Sequence, residues 1–136
     1  MNSEEQKLIA ELEKASRGLL FQSESDYPFK TFLWKGAAKE ALTPQGLLSL
    51  TGHSKAEPVE TVGLDDLFQG ATQEQSWHGP HERIMAARYM ELVQLLKDRL
   101  SDIQVYRIGK VSKDVYIVGK TESGDLAGLS TKVVET

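Results

Sequence analysis

The sequence has no cysteine. Disulfides and thiolate chemistry are therefore excluded, which suits a cytoplasmic protein. It also has no basic run. Sixteen Lys and Arg stand against twenty Asp and Glu, giving a formal net charge of −4 and a pI near 5.4. Such a chain lacks the electrostatic footprint of a nucleic-acid binder. An acidic surface favours a basic partner, although ordinary solubility charge accounts equally well for a value this small. No stretch approaches the roughly 20 apolar residues of a membrane span. The start, Met1 to Glu5, has neither the basic flank nor the apolar run of a signal peptide. Internal repeats, low-complexity tracts, a phosphate loop, a Gly-x-Ser-x-Gly elbow and a zinc-protease signature are all missing from the sequence. No βαβ series opens on a glycine-rich turn, which argues against a doubly wound nucleotide-binding fold.

What is present is organised around the last third of the chain. Ile103 to Ile108 and Val115 to Val118 are rich in β-branched and aromatic residues, with a polar reversal over Lys110 to Asp114. Glu122-Ser123-Gly124-Asp125 is a second turn, so Leu126 to Val134 is expected to return antiparallel to its neighbour. A terminus that follows directly from a strand is held in place, which makes Thr136 a positioned chemical group.

Upstream, Leu8, Ile9, Leu12, Ala15 and Leu19 recur at helical spacing. With Ser3 as N-cap and Gly18 as stop, they predict a helix over about Glu4 to Arg17. Pro28 biases Tyr27 away from helix, and Phe29 to Trp34 reads as a strand. Thr43-Pro44 starts a short helix with Leu47, Leu48 and Leu50 on one side and Gly52 at its end. Val59 to Val62 reads as a strand and Leu64 to Phe68 as a single helical turn. The longest helix is expected from His81 to Leu100, with Met85, Tyr89, Leu92, Val93, Leu96 and Leu100 on one face and Ile84 and Leu95 beside it. At 136 residues the chain is expected to form one domain, 1–136. Helices bracketing a largely antiparallel central sheet predict an α+β fold, arranged as a three-layer α/β/α sandwich.

Candidate chemistry is sparse. His78 and His81 have metal-ligand spacing, with Glu82 next, but no third clear ligand accompanies them and His53 is distant in sequence. Glu24 and Asp26 could form a catalytic carboxylate pair, yet such pairs need unequal environments, and acidic loop residues are ordinarily just solvated. Trp77, alone in a polar stretch, is read two ways: as a local core plug, or as a contact anchor of the kind enriched at binding hot spots.

Several segments together resemble the nuclease A inhibitor family. They are Leu19-Leu20-Phe21, Ser23-Glu24-Ser25, Tyr27-Pro28-Phe29, Phe32-Leu33-Trp34, Thr51-Gly52-His53, Val105-Tyr106-Arg107, Asp114-Val115-Tyr116 and Leu126-Ala127-Gly128, with the terminal run Ser130 to Thr136. The likeness is strongest in the outer thirds and weakest between Ala37 and Arg83. The tryptophan's neighbours, Ser76 and His78-Gly79-Pro80, lack the acidic residues that family members can carry there.

The resemblance implies an α/β/α sandwich that inhibits a sugar-non-specific, magnesium-dependent endonuclease of DNA and RNA. It implies a protein with no catalysis and no cofactor of its own, acting as a monomer in a 1:1 complex. The partner-binding residues it implies are Glu24, Trp77, Glu135 and Thr136. Glu24 would enter the basic cleft, Trp77 would pack at the interface, and Thr136 would reach the partner nuclease's magnesium in trans. Two other readings stand beside it: a related domain that binds a different basic protein, and a small hydrolase using Glu24 and Asp26.

Overall fold

The computed structural model describes residues 3–21, 27–35, 43–54, 56–72 and 79–134. The chain order is α1 (Ser3–Ser16), β1 (Leu20–Phe21), β2 (Tyr27–Pro28), β3 (Lys30–Trp34), α2 (Pro44–Thr51), β4 (Val59–Val62), α3 (Leu64–Thr72), α4 (Pro80–Arg99), β5 (Ser101–Ile108), β6 (Ser112–Lys120) and β7 (Leu126–Val134). Five strands form one antiparallel sheet in the order β3-β7-β6-β5-β4. The fold is α+β.

The expected terminal meander is β5-β6-β7, and it forms the centre of the sheet. Alternation along these strands sends Val105, Val115, Ile117, Ala127 and Leu129 to one face and Tyr106, Ile108, Val118 and Leu126 to the other. Both sets are buried, so the central strands read as nearly continuous apolar runs. The first face is covered by α1, α3 and α4 through Leu8, Leu12, Phe68, Tyr89, Leu92 and Leu96. The second receives α2 through Leu47 and Leu48. Gly128 is required where β7 passes β6, because a Cβ there would lie 1.8 Å from the Ile117 carbonyl oxygen.

The ends of α2 follow its sequence signals. The Thr43 hydroxyl accepts from the Gly46 N–H at 3.0 Å, Pro44 occupies the first turn, and Gly52 closes the helix at φ 74°. Other boundaries differ from expectation. α1 begins at Ser3 itself, and α4 begins at Pro80, where a proline without an N–H costs the first turn nothing. α3 is nine residues rather than one turn, because Phe68 is buried against Tyr89 and tertiary packing extends a weak local signal. Leu50, expected on the apolar side of α2, is exposed, and so is Ile84, expected beside the apolar face of α4. The run at Leu20–Phe21 forms a two-stranded ribbon with Tyr27–Pro28, and Pro28 is tolerated there because the ribbon leaves it outside the main sheet.

Candidate functional site

Strand direction fixes which segments share an end of the molecule. At the upper end β5 turns into β6, and β7 finishes at Val134 opposite Ser112. At the lower end α4 enters β5, and Lys120, Leu126 and Trp34 lie on successive strands. Glu24, Trp77, Glu135 and Thr136 all lie outside the described residues, as do Asp26 and His78. The residues that flank them are described, and they gather at the upper end.

Residues 22–26 join Phe21 to Tyr27, which are cross-strand partners. The Thr131 hydroxyl lies 3.3 Å from the Tyr27 carbonyl oxygen and 3.0 Å from that of Pro28, tying this ribbon to the last residues of β7. Residues 135–136 follow Val134 directly. Residues 73–78 join α3 to α4. α3 starts low, where the Lys97 ammonium meets Asp65 at 2.8 Å. It climbs to Phe68, whose ring lies 5.9 Å from Tyr89 and 6.1 Å from Phe29, the residue that leads into β3. α4 descends from Pro80 to enter β5 at the lower end, so the end of α3 and the start of α4 belong to the upper end too. The fold thus brings the flanks of three sequence-distant segments to one edge.

Two of the tripeptides that carry the resemblance meet in a polar latch between α2 and β6. His53 Nε2 lies 2.7 Å from Asp114 Oδ2, and a carboxylate only accepts, so that nitrogen carries the proton. His53 Nδ1 lies 2.6 Å from the Thr51 hydroxyl oxygen, and the imidazole stands edge-on to the Tyr116 ring. Burial raises the Tyr116 phenol above its ordinary value, the Asp114 charge adds to this, and a hydrogen bond with Thr51 opposes it. Sequence spacing gave no reason to join His53 to Asp114, sixty-one residues apart. The signal that could have found them is the recurrence of Thr51-Gly52-His53 and Asp114-Val115-Tyr116 among the family-like segments. Phe32 stacks on Trp34 at 4.2 Å and meets Tyr116 edge-on, so a third such segment packs beside the latch.

At the lower end two acidic side chains share one lysine. Lys35 Nζ lies 2.9 Å from Glu5 and 3.7 Å from Asp125, and the Thr121 hydroxyl reaches Glu5 at 3.2 Å. Glu5 and Asp125 are buried acidic residues, and pairing with Lys35 makes that burial tolerable. The hydrogen bond to Glu5 raises the Lys35 pKa, burial opposes it, and the Glu5 and Asp125 charges reinforce it. Among the described residues no group of three or more His, Asp or Glu could hold a metal ion, and His81 and Glu82 are exposed in the first turn of α4.

A family model described as nuclease A inhibitor-like protein matches residues 6–136. The chain belongs to the nuclease A inhibitor-like family. A search of curated proteins finds no match to it. Membership in an inhibitor family carries a nuclease-inhibitor role in general, with a nuclease protein as the partner. Among the described residues no helix is long and apolar enough to cross a membrane. In this family member most of the segments that carried the resemblance build the sheet. Phe32-Leu33-Trp34 pairs residue by residue with Gly128-Ala127-Leu126, and Val105-Tyr106-Arg107 with Ile117-Tyr116-Val115. Thr51-Gly52-His53 instead closes α2, and Ser23-Glu24-Ser25 and the last two residues lie outside the described residues.

Proposed function

We propose that this protein blocks the active-site cleft of a sugar-non-specific, magnesium-dependent endonuclease in a 1:1 complex, with no catalysis of its own. Glu24 and Thr136 occupy the cleft, Trp77 packs at the interface, and Glu135 also contacts the partner. One observation carries the reading. The flanks of 22–26, 73–78 and 135–136 converge on the upper edge of the sheet, so residues from all three can address one partner.

The physics of a nuclease cleft makes these residue types effective. The cleft must attract phosphates, so it is basic and holds a hard cation. Carboxylates placed there reproduce the substrate's charge without a cleavable phosphodiester. Glu24 is a charge partner that gains strength as water is excluded. Trp77 is a rigid apolar anchor. Thr136 offers hard oxygen donors of the kind magnesium prefers, and magnesium commonly takes only one or two carboxylates and keeps other sites for water or phosphate oxygens.

The test is inhibition of such an endonuclease at fixed magnesium. Glu24→Ala should weaken inhibition by about 2–5 kcal/mol, and Trp77→Ala by about 2 kcal/mol. A glycine added after Thr136 should also weaken it. Glu122→Ala, in the lower turn between β6 and β7, is the control and should change nothing. Full potency in all of the upper-edge variants would place the contact elsewhere on the molecule.

A further inference from the structure

The α2 face of the sheet is not fully covered. Toward the upper end a groove of about 450 Å³ remains open, bounded by Tyr27, Pro28, Lys30, Tyr116, Ser130 and Lys132. Its size falls in the range of small-ligand pockets, roughly 300–1,000 Å³.

The groove reverses the sign of the chain. In a protein of net charge −4 it carries two lysines from neighbouring strands. Lys30 pairs directly with Ser130 across β3 and β7, and Lys132 lies two residues further along β7 on the same face. Diagonal neighbours of this kind stand about 7–8 Å apart, so two long ammonium side chains can close on one anion between them. Neither lysine makes an ion pair or side-chain hydrogen bond among the described residues. Asp114, the cross-strand partner of Lys132, also lines the groove, but its Oδ2 is engaged by His53 at 2.7 Å. The latch thus engages one oxygen of that carboxylate, and no ion pair between Asp114 and Lys132 forms among the described residues.

The rest of the lining adds hydroxyls and flat apolar surface. Ser130, across from Lys30 and two residues before Lys132, supplies a hydroxyl donor. Tyr116 is fixed by its edge-on contacts with Phe32 at 6.3 Å and His53 at 6.2 Å, so its ring is set before any ligand arrives. Tyr27 and Pro28 line the groove as well. Two cations beside one fixed tyrosine ring suit a small anion with a planar body.

We propose that this groove binds a small phosphate monoester carrying a planar ring, the phosphate held between Lys30 and Lys132 beside the Ser130 hydroxyl and the ring lying against Tyr116, Tyr27 and Pro28. The inference does not depend on the nuclease reading. On that reading a protein occupant is disfavoured, because a partner built around a basic cleft is repelled by two lysines that make no ion pair among the described residues.

The experiment is a nuclear magnetic resonance titration of the full chain with phenyl phosphate, with inorganic phosphate and phenol in parallel. Phenyl phosphate should give saturable shifts centred on Tyr116, Ser130 and Lys132, and should bind more tightly than either fragment. Changing both lysines, Lys30→Gln with Lys132→Gln, should weaken it roughly tenfold, since exposed charge contacts are individually modest. Both side chains are exposed, so thermal unfolding should not change. Glu24→Ala should leave phenyl phosphate binding intact whatever it does to nuclease inhibition. No saturable shift with phenyl phosphate, or equal binding in the double variant, overturns the proposal. A double variant that loses nuclease inhibition while wild-type protein ignores phenyl phosphate also overturns it, and assigns the groove to the protein contact.

Discussion

The two faces of the sheet are covered by different means. On one face α1, α3 and the twenty-residue α4 lay down an apolar layer in which Leu12, Leu92, Leu96, Ile117 and Leu129 are fully buried. On the other face the eight-residue α2 contributes Leu47 and Leu48, and an aromatic panel of Phe32, Trp34 and Tyr116 stays partly open. The His53–Asp114 latch lies beside that panel. A long helix can cover a sheet face by contact area alone. A helix of two turns cannot, so the remaining area is shared between rings, one polar tie and an open groove. The first face is therefore set by volume, and the second by geometry.

Substitution can break that contrast. The largest effect is expected on the covered face. Leu92→Ala should cost about 2–5 kcal/mol in urea unfolding, because the removed side chain leaves a cavity that rigid neighbours cannot fill. A loss no larger than that of a surface substitution would mean that α4 is not packed as described.

A smaller effect is expected on the α2 face. His53→Ala should cost about 1–2 kcal/mol, the worth of a hydrogen bond to a charged group, reduced by partial exposure of Asp114. The double-mutant cycle with Asp114→Ala sharpens the point. Additive losses would show that the two residues stabilise the fold separately and that α2 is held by Leu47 and Leu48 alone.

The smallest effect belongs to the polar tie on the covered face, where Lys35 spans Glu5 and Asp125. Its folded pKa lies above the ordinary 10.5. A raised folded value means that the ammonium stabilises the fold fully below the unfolded pKa, and that this contribution fades as pH rises through the folded one. Wild type should therefore be more stable than Lys35→Met at pH 8, with the two melting temperatures converging above pH 10.5. Parallel curves across that range would show that the pairing does not contribute through the lysine's charge.

The terminal meander, the main helix and both caps of α2 were legible in the sequence, since each rests on local signals: alternation, 3.6-residue spacing, and Thr43-Pro44 with Gly52. α3 was read too short because Phe68 gains its stability from Tyr89, a partner twenty-one residues away. Of the site, residue types were legible and their gathering was not. Glu24, Trp77 and Thr136 stood out by chemistry and resemblance. That their flanking residues share an edge depends on β7 running upward beside the β1–β2 ribbon while α4 runs downward.

The sequence by itself determined the element types, the absence of thiol chemistry, the acidic charge and the family, because these are properties of residues and short spacings. Only the tertiary structure decided which carboxylates serve the fold. Glu5 and Asp125 are buried against Lys35, and Asp114 is tied to His53, while nothing in their local sequence separates them from solvated acids. Pairing across tens of residues is set by strand order and helix direction, and those follow from burying both faces of one sheet at once.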